Sequence, residues 1–302
     1  MAQPIIEVEH LVRAFDGRKA VDDLSFVVQR GDLFAFLGQN GAGKSTTINM
    51  IIGLLAPDGG RIVYAGSEDF ASFKNQIGVV FQDNTFDNLL TVEENLGVYG
   101  SLSSPTRDGF RRRRAELVEL LDLKDLMKKR FGVLSGGQKR KAEIARALFA
   151  SPSILFLDEP TTGLDPRTRA EVWELLRRVR RDSNMTLFLT THYLAEAADA
   201  DQVVIIHEGR RVCEGSPAEL KARYSSDKLM VTPRDPAGFE RQIAGRPFTR
   251  VGDTYALPVE GARESIDILA RTRENVKYFE AVRGSMEDVF LTAVGERIGQ
   301  DG

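Results

Sequence analysis

Short apolar runs alternate along this chain with longer stretches of helical period. Residues 5–8, 25–28 and 33–37 read as β segments, parted by Asp16-Gly17 and Arg30-Gly31 turns. A helical pattern over 44–55 follows the third segment and stops at Pro57-Asp58-Gly59-Gly60. Further strands are predicted at 61–64 and 77–81. Across 92–132 the period turns helical, with Leu117, Leu120, Leu121 and Leu126 on one face. The Arg111-Arg112-Arg113-Arg114 run within it reads as a solvated helix face, with a partner-binding patch as the alternative. Ser135 is placed to cap an alanine-rich helix through 150. Pro152 opens an apolar strand, and Asp165-Pro166 starts a helix to about 182. A strand at 186–190 and a hairpin of 203–206 with 211–213 follow. Strands alternating with helices imply a mainly parallel sheet, here with an antiparallel β portion at the N-terminus.

Composition changes after Tyr224. The remaining 225–302 predict strand (229–232), helix (236–244), strands (248–251 and 255–259), helix (262–272), strand (276–282) and a last helix (286–294). The first six elements give the βαββαβ order of a ferredoxin-like domain. The expected organisation is an α/β main domain over 1–224, with a helical subdomain at about 83–150, and a small α+β accessory domain over 225–302. The accessory part holds no catalytic cluster, so regulatory, docking and stabilising roles all stay open for it.

The 302 residues are 42% hydrophobic and 28% charged, with a net charge of −3. That balance is the one of a globular protein with a real core, and it gives no global basic field for nucleic acid. The single cysteine, Cys213, excludes an internal disulfide and reads as a strand residue suited to a reducing cytosol. Met1 to Glu9 lacks a signal-peptide pattern, and no apolar run approaches the roughly 18 residues that span a bilayer. A membrane pore, if one is used, belongs to another polypeptide.

The chemistry begins at Gly38-Gln39-Asn40-Gly41-Ala42-Gly43-Lys44-Ser45-Thr46, between a strand and a helix. Small residues there let backbone N–H groups surround phosphates, and the helix adds its positive end. Lys44 reaches the β/γ oxygens and Ser45 offers its hydroxyl to Mg²⁺. This is a P-loop nucleotide core. Asp158 ends the apolar run Ile154-Leu155-Phe156-Leu157, where a lone carboxylate is costly unless it meets a cation, and the Mg²⁺ at Ser45 is the natural one. A second serine-capped, double-glycine helix start, Ser135-Gly136-Gly137-Gln138, is surplus for one nucleotide. It makes sense facing the nucleotide of a second copy.

The ordered set over roughly 5–220 closely resembles the ATP-binding cassette family, the motor subunits of membrane transporters. That resemblance implies ATP as the nucleotide and Glu159 as general base. It implies Gln82 on Mg²⁺ and the lytic water, His192 on the γ-phosphate, and Asp165 in a loop contacting the opposite subunit. Phe15 stands where the family usually has a tyrosine that stacks on adenine; a core phenylalanine is the alternative. His10 and His207 lack such a setting and read as structural. The run Ser285-Met286-Glu287-Asp288-Val289-Phe290-Leu291 is also similar to the branch exporting drugs, lipids or polysaccharides. The implied partners are a second copy and an integral membrane permease, on the cytoplasmic face of the membrane. A non-transport cassette ATPase of DNA repair or translation is the alternative; the first usually carries a long coiled coil and the second a second cassette. A GTPase or small-molecule kinase leaves Ser135 to Gln138 unexplained.

Overall fold

The computed structural model describes residues 3–103 and 106–300. The chain divides into two compact units, Met1–Glu214 and Gly215–Gly302. In the first, β1 (Pro4–Phe15) and β2 (Arg18–Gln29) form a hairpin. Its two turn residues, Asp16 and Gly17, both take positive φ (49° and 79°), the twist that suits a two-residue hairpin loop. Next come β3 (Leu33–Leu37), α1 (Lys44–Ile51) and β4 (Gly59–Tyr64). Strand β4 pairs antiparallel with β1, giving a sheet of order β2-β1-β4.

α1 ends at Ile51 rather than at 55, because Gly53 turns to φ 73°. A Cβ on Gly53 would lie 2.5 Å from Phe70 Cε1, so the chain can pass there only as glycine. Phe70 starts the short α2 (Phe70–Phe73), which the apolar pattern did not predict. After β5 (Ile77–Val80) the helical stretch resolves into α3 (Val92–Ser103) and α4 (Arg107–Leu120). Asp122, at φ 52°, breaks it, and only a 3₁₀ turn at Phe131–Val133 remains helical before α5 (Gly136–Leu148). The arginine run is not simply solvated. Arg113 donates to the Leu148 carbonyl (2.7 Å) and Arg114 to Glu93 (2.7 Å), fastening α4 to its neighbours.

The unit continues with β6 (Ile154–Asp158), α6 (Pro166–Ser183), β7 (Thr186–Thr191), β8 (Gln202–His207) and β9 (Arg210–Gly215). The large sheet runs β5-β6-β7-β3-β8-β9, with parallel pairing from β5 through β8. Strands β3, β6 and β7 are buried at every position, which is why β3 and residues 154–157 of β6 read as unbroken apolar runs; β7 buries Thr186, Thr190 and Thr191 as well. The two sheets meet through a phenylalanine cluster. Phe26 of β2 packs on Phe34 (5.4 Å) and Phe36 (5.3 Å), and Phe188 sits 5.1 Å from Phe34 and 5.0 Å from Phe156. Burying each such ring contributes about 1.5–3 kcal/mol. Cys213 is buried in β9. No helix among the described residues is long and apolar enough to cross a membrane.

The second unit begins ten positions earlier than the composition shift suggested. It opens with α7 (Pro217–Tyr224), capped by Ser216 in a reciprocal box with Glu219. Its sheet is built from β10 (Asp227–Pro233), β11 (Thr249–Val251), β12 (Thr254–Val259) and β13 (Val276–Val282). The helices are α8 (Pro236–Gln242), α9 (Ala262–Thr272) and α10 (Met286–Gln300), and α7 packs on α10, which moves the boundary to 214. The strand order β11-β12-β10-β13, all antiparallel, is the ferredoxin-like one. Leu229, Val231, Phe239, Tyr255, Leu257 and Ile268 form its core.

Candidate active site

β3 lies inside the parallel sheet, between β7 and β8, and the chain leaves it at Gly38 to form the phosphate loop. Two glycines are obligatory on steric grounds. A Cβ on Gly38 would lie 2.9 Å from the Ile206 carbonyl, and one on Gly43, at φ 103°, would lie 2.4 Å from the Ala20 carbonyl. Gly41 also takes a positive φ, 82°. Lys44, at the first position of α1, folds back so that its ammonium donates to the carbonyls of Gly38 (2.8 Å) and Gln39 (3.1 Å). It also stands 3.3 Å from Glu159 Oε1, with both side chains buried. Gln39, Asn40 and Gly41 are exposed, whereas Ala42 is buried beneath the loop.

β6 and β7 deliver the other half of the cluster. Their register sets Asp158 beside Thr190, and Thr190 Oγ1 donates to Asp158 Oδ1 at 2.5 Å. Ser45 Oγ donates to the same Oδ1 at 3.5 Å. Glu159 takes φ 46°, unusual for a residue with a side chain, and its N–H donates to both Thr190 oxygens at 3.1 Å. Its Oε2 accepts from Thr162 (3.1 Å) and lies 3.1 Å from His192 Nδ1. Burial alone pushes the Glu159 carboxyl up. The Lys44 ammonium and the His192 and Thr162 contacts outweigh it and hold the group below its ordinary range.

Lys44, Ser45, Asp158, Glu159 and His192 are thus gathered in one place; Thr46 sits beside them in α1. Gln82 is exposed, in the loop after β5, and β5 is the parallel neighbour of β6 (Val80 opposite Leu157), which starts that loop beside Asp158. Phe15 is not a core residue: it is 45% exposed at the end of β1, with the Arg13 guanidinium 4.9 Å from its ring centre. Asp165 caps α6, accepting from Arg167 N, Thr168 N (3.1 Å each) and Thr168 Oγ1 (2.5 Å). These bonds, the Thr168 hydroxyl first, lower its pKa.

Ser135 and Gln138 form a capping box at the start of α5: Gln138 N donates to Ser135 Oγ, and Ser135 N to Gln138 Oε1. The glycines between them allow close packing on the same chain. A Cβ on Gly136 would meet Leu164 Cδ2 at 2.9 Å, and one on Gly137 would meet Thr168 Cγ2 at 2.2 Å. Ser135 and Gly136 are exposed.

Sequence reasoning missed how α5 holds the glutamine loop. Arg140 donates to the carbonyls of Phe81 (2.7 Å) and Gln82 (3.3 Å). Glu143, fully buried, accepts from Thr85 N (2.7 Å), Thr85 Oγ1 (2.8 Å) and Phe86 N (3.0 Å), and Arg146 donates to the Val79 carbonyl (2.6 Å). The signal was present: charged residues at every third position of an otherwise alanine-rich apolar face. Thr190 was missed as well, although its place at the end of an apolar strand marks it as aimed at something polar.

Residues 21–162 match the ABC transporter family. The daunorubicin/doxorubicin resistance ATP-binding protein DrrA of Streptomyces peucetius is 38% identical over 96% of this chain and 92% of its own length. The Nod factor export ATP-binding protein I of Burkholderia pseudomallei is 35% identical over 97% and 98%. Among solved structures, cbiO1 of Clostridium perfringens, part of the ABC transporter complex cbiONQ, superposes with a TM-score of 0.68. It is 31% identical and covers 73% of this chain and 92% of its own. A phosphate loop, a paired acid strand end and relatives spanning nearly the full length lead to one conclusion: the chain belongs to the ATP-binding subunits of ABC transporters and binds and hydrolyses ATP.

Proposed function

We propose that this chain drives export through a separate integral membrane permease, as one of two identical subunits that close head to tail on two ATP molecules at the cytoplasmic face of the membrane. The single observation that carries the pairing is the exposed start of α5. Ser135 Oγ accepts the Gln138 N–H, so its own proton is left to donate outward, at the positive end of a helix. The same chain already has a complete phosphate loop, so the second anion cradle serves another molecule's ATP. Relatives named for drug resistance and Nod factor export support the direction.

Within each site Lys44 and the loop N–H groups hold the β- and γ-phosphates. The hydroxyl of Ser45 and the carboxylate of Asp158 are hard oxygen donors only 3.5 Å apart, a set that fits Mg²⁺, with Gln82 as a further ligand. Bound there, Mg²⁺ supplies charge neutralisation for phosphoryl transfer. Glu159 acts as general base on the attacking water, and His192 orients it through the 3.1 Å contact. Phe15 offers adenine the ring face not covered by Arg13. Asp165, through its cap of α6, shapes the loop that meets the other subunit.

The permease docks on the loop around 82–95. Leu89 is 76% exposed there, on a loop held firm by the buried Asn95, which bonds Asp87 N (2.9 Å), Asp87 O (3.0 Å) and Thr91 O (3.1 Å). The test of pairing is Glu159→Gln, which keeps ATP bound while removing the base. With ATP and Mg²⁺, sizing chromatography with light scattering is expected to give twice the subunit mass; a monomer under those conditions overturns the scheme.

A further inference from the structure

We propose that Glu196 is a positioning residue for ATP hydrolysis, forming with Thr161 a buried latch that fixes Glu159 and His192 against each other. The inference rests on the reading of Glu159 and His192 as the reacting pair. Those two residues begin separate loops, one leaving β6 and one leaving β7. Beyond them the loops have no strand pairing to hold their spacing: β6 and β7 pair only from Ile154–Thr186 to Asp158–Thr190. A second connection appears further along both loops. Thr161, two residues past Glu159, donates its hydroxyl to the carboxylate of Glu196, four residues past His192 in the 3₁₀ turn Leu194–Asp199.

Both side chains are buried, Thr161 at 1% exposure and Glu196 at 7%. The other oxygen of Glu196, Oε2, is shielded from solvent and has no hydrogen-bond partner among the described residues. A buried carboxylate held by a single hydroxyl is a poor device for stability, since a leucine of similar volume would pack there without the desolvation cost. What Glu196 provides that leucine cannot is a directional bond between the two loops. The His192 loop is constrained by a second contact: the His192 ring lies 4.2 Å from that of Tyr193, tilted by 37°, and Arg169 of α6 lies 4.1 Å over Tyr193. The latch and this ring contact together hold the 3.1 Å contact of His192 Nδ1 with Glu159 Oε2.

The experiment compares the full-length chain with Thr161→Val, Thr161→Ser, Glu196→Leu and Glu196→Gln in steady-state ATP hydrolysis. Valine and leucine each remove the bond and keep the volume. A tenfold or greater fall in kcat is expected for both, with KM for ATP within about twofold; the melting midpoint should change little for Glu196→Leu and fall for Thr161→Val, which leaves the buried Glu196 carboxylate without its hydroxyl. Serine and glutamine retain a donor and an acceptor and are expected to recover kcat to within about threefold. Should Thr161→Val fail to fold, the Glu196 pair decides alone. The proposal is overturned if the leucine variant turns over ATP like the parent, or if kcat and KM move together without rescue by serine. Glu159→Gln is run alongside: loss of hydrolysis there, with unaltered Glu196→Leu, rejects the latch while leaving the site assignment intact.

Discussion

At the scale of single residues the site is governed by one shared cation. Glu159 and Lys44 are both buried at 3.3 Å, and burial by itself would raise the carboxyl. Because the ammonium, His192 and Thr162 win, the folded pKa lies below the ordinary 4.5. A depressed carboxyl contributes stability that is present above its unfolded pKa and lost as pH falls through the folded one. Lys44→Met removes the largest of the influences that lower this carboxyl. The expected outcome is a variant destabilised at neutral pH whose deficit against the parent shrinks as pH is lowered through the carboxylate range. Melting midpoints from about pH 3 to about pH 7 read this directly, and a deficit constant across that range contradicts it. The residues of this cluster were largely legible, because a phosphate loop and an acid at the end of an apolar run carry their chemistry in their order. Thr190, Thr161 and Glu196 were not. Their roles come from register between β6 and β7 and from where two loops converge, which no local spacing encodes.

At the scale of elements, α5 carries two tasks at successive turns. Arg140, Glu143 and Arg146 grip the chain from Val79 to Phe86, so the glutamine loop and the start of α5 are fastened together. The first turn packs its glycines on Leu164 and Thr168, after β6. Thr168 cannot swing clear of an added methyl at Gly137, since its hydroxyl is held by Asp165 at 2.5 Å and its χ1 is stiff. Gly137→Ala is therefore expected to cost about 1–3 kcal/mol, by overpacking and by loosening the α6 cap. Adding Thr168→Ser deletes the clashing methyl and keeps the hydroxyl, so the double variant should regain most of that loss in urea unfolding. An additive double variant would place the glycine requirement elsewhere. Element boundaries were the least legible part of the fold. α1 stops early because Gly53 must clear Phe70, and α7 joins the second unit by packing on α10; both are contacts across the chain.

For the whole molecule, the open question is whether the start of α5 serves its own fold or a neighbour's ATP. Ser135 does serve the fold, as the cap of α5. Replacing it with alanine would cost about 0.5–2 kcal/mol as a lost cap and so could not separate the roles. Ser135→Asp can. Aspartate caps helices as well as serine does, and its charge suits the positive helix end, so stability should match or slightly exceed that of the parent. Facing a γ-phosphate across an interface, the same carboxylate has no proton to donate and adds like-charge repulsion. In a Glu159→Gln background the variant is expected to bind ATP within a few-fold of its parent, because the Lys44 loop is untouched. It should nevertheless remain monomeric with ATP and Mg²⁺ where the parent doubles in mass. If the aspartate chain pairs as readily as its parent, the exposed Ser135-Gly136 start is only a structural cap, and the trans role assigned to it has to be abandoned.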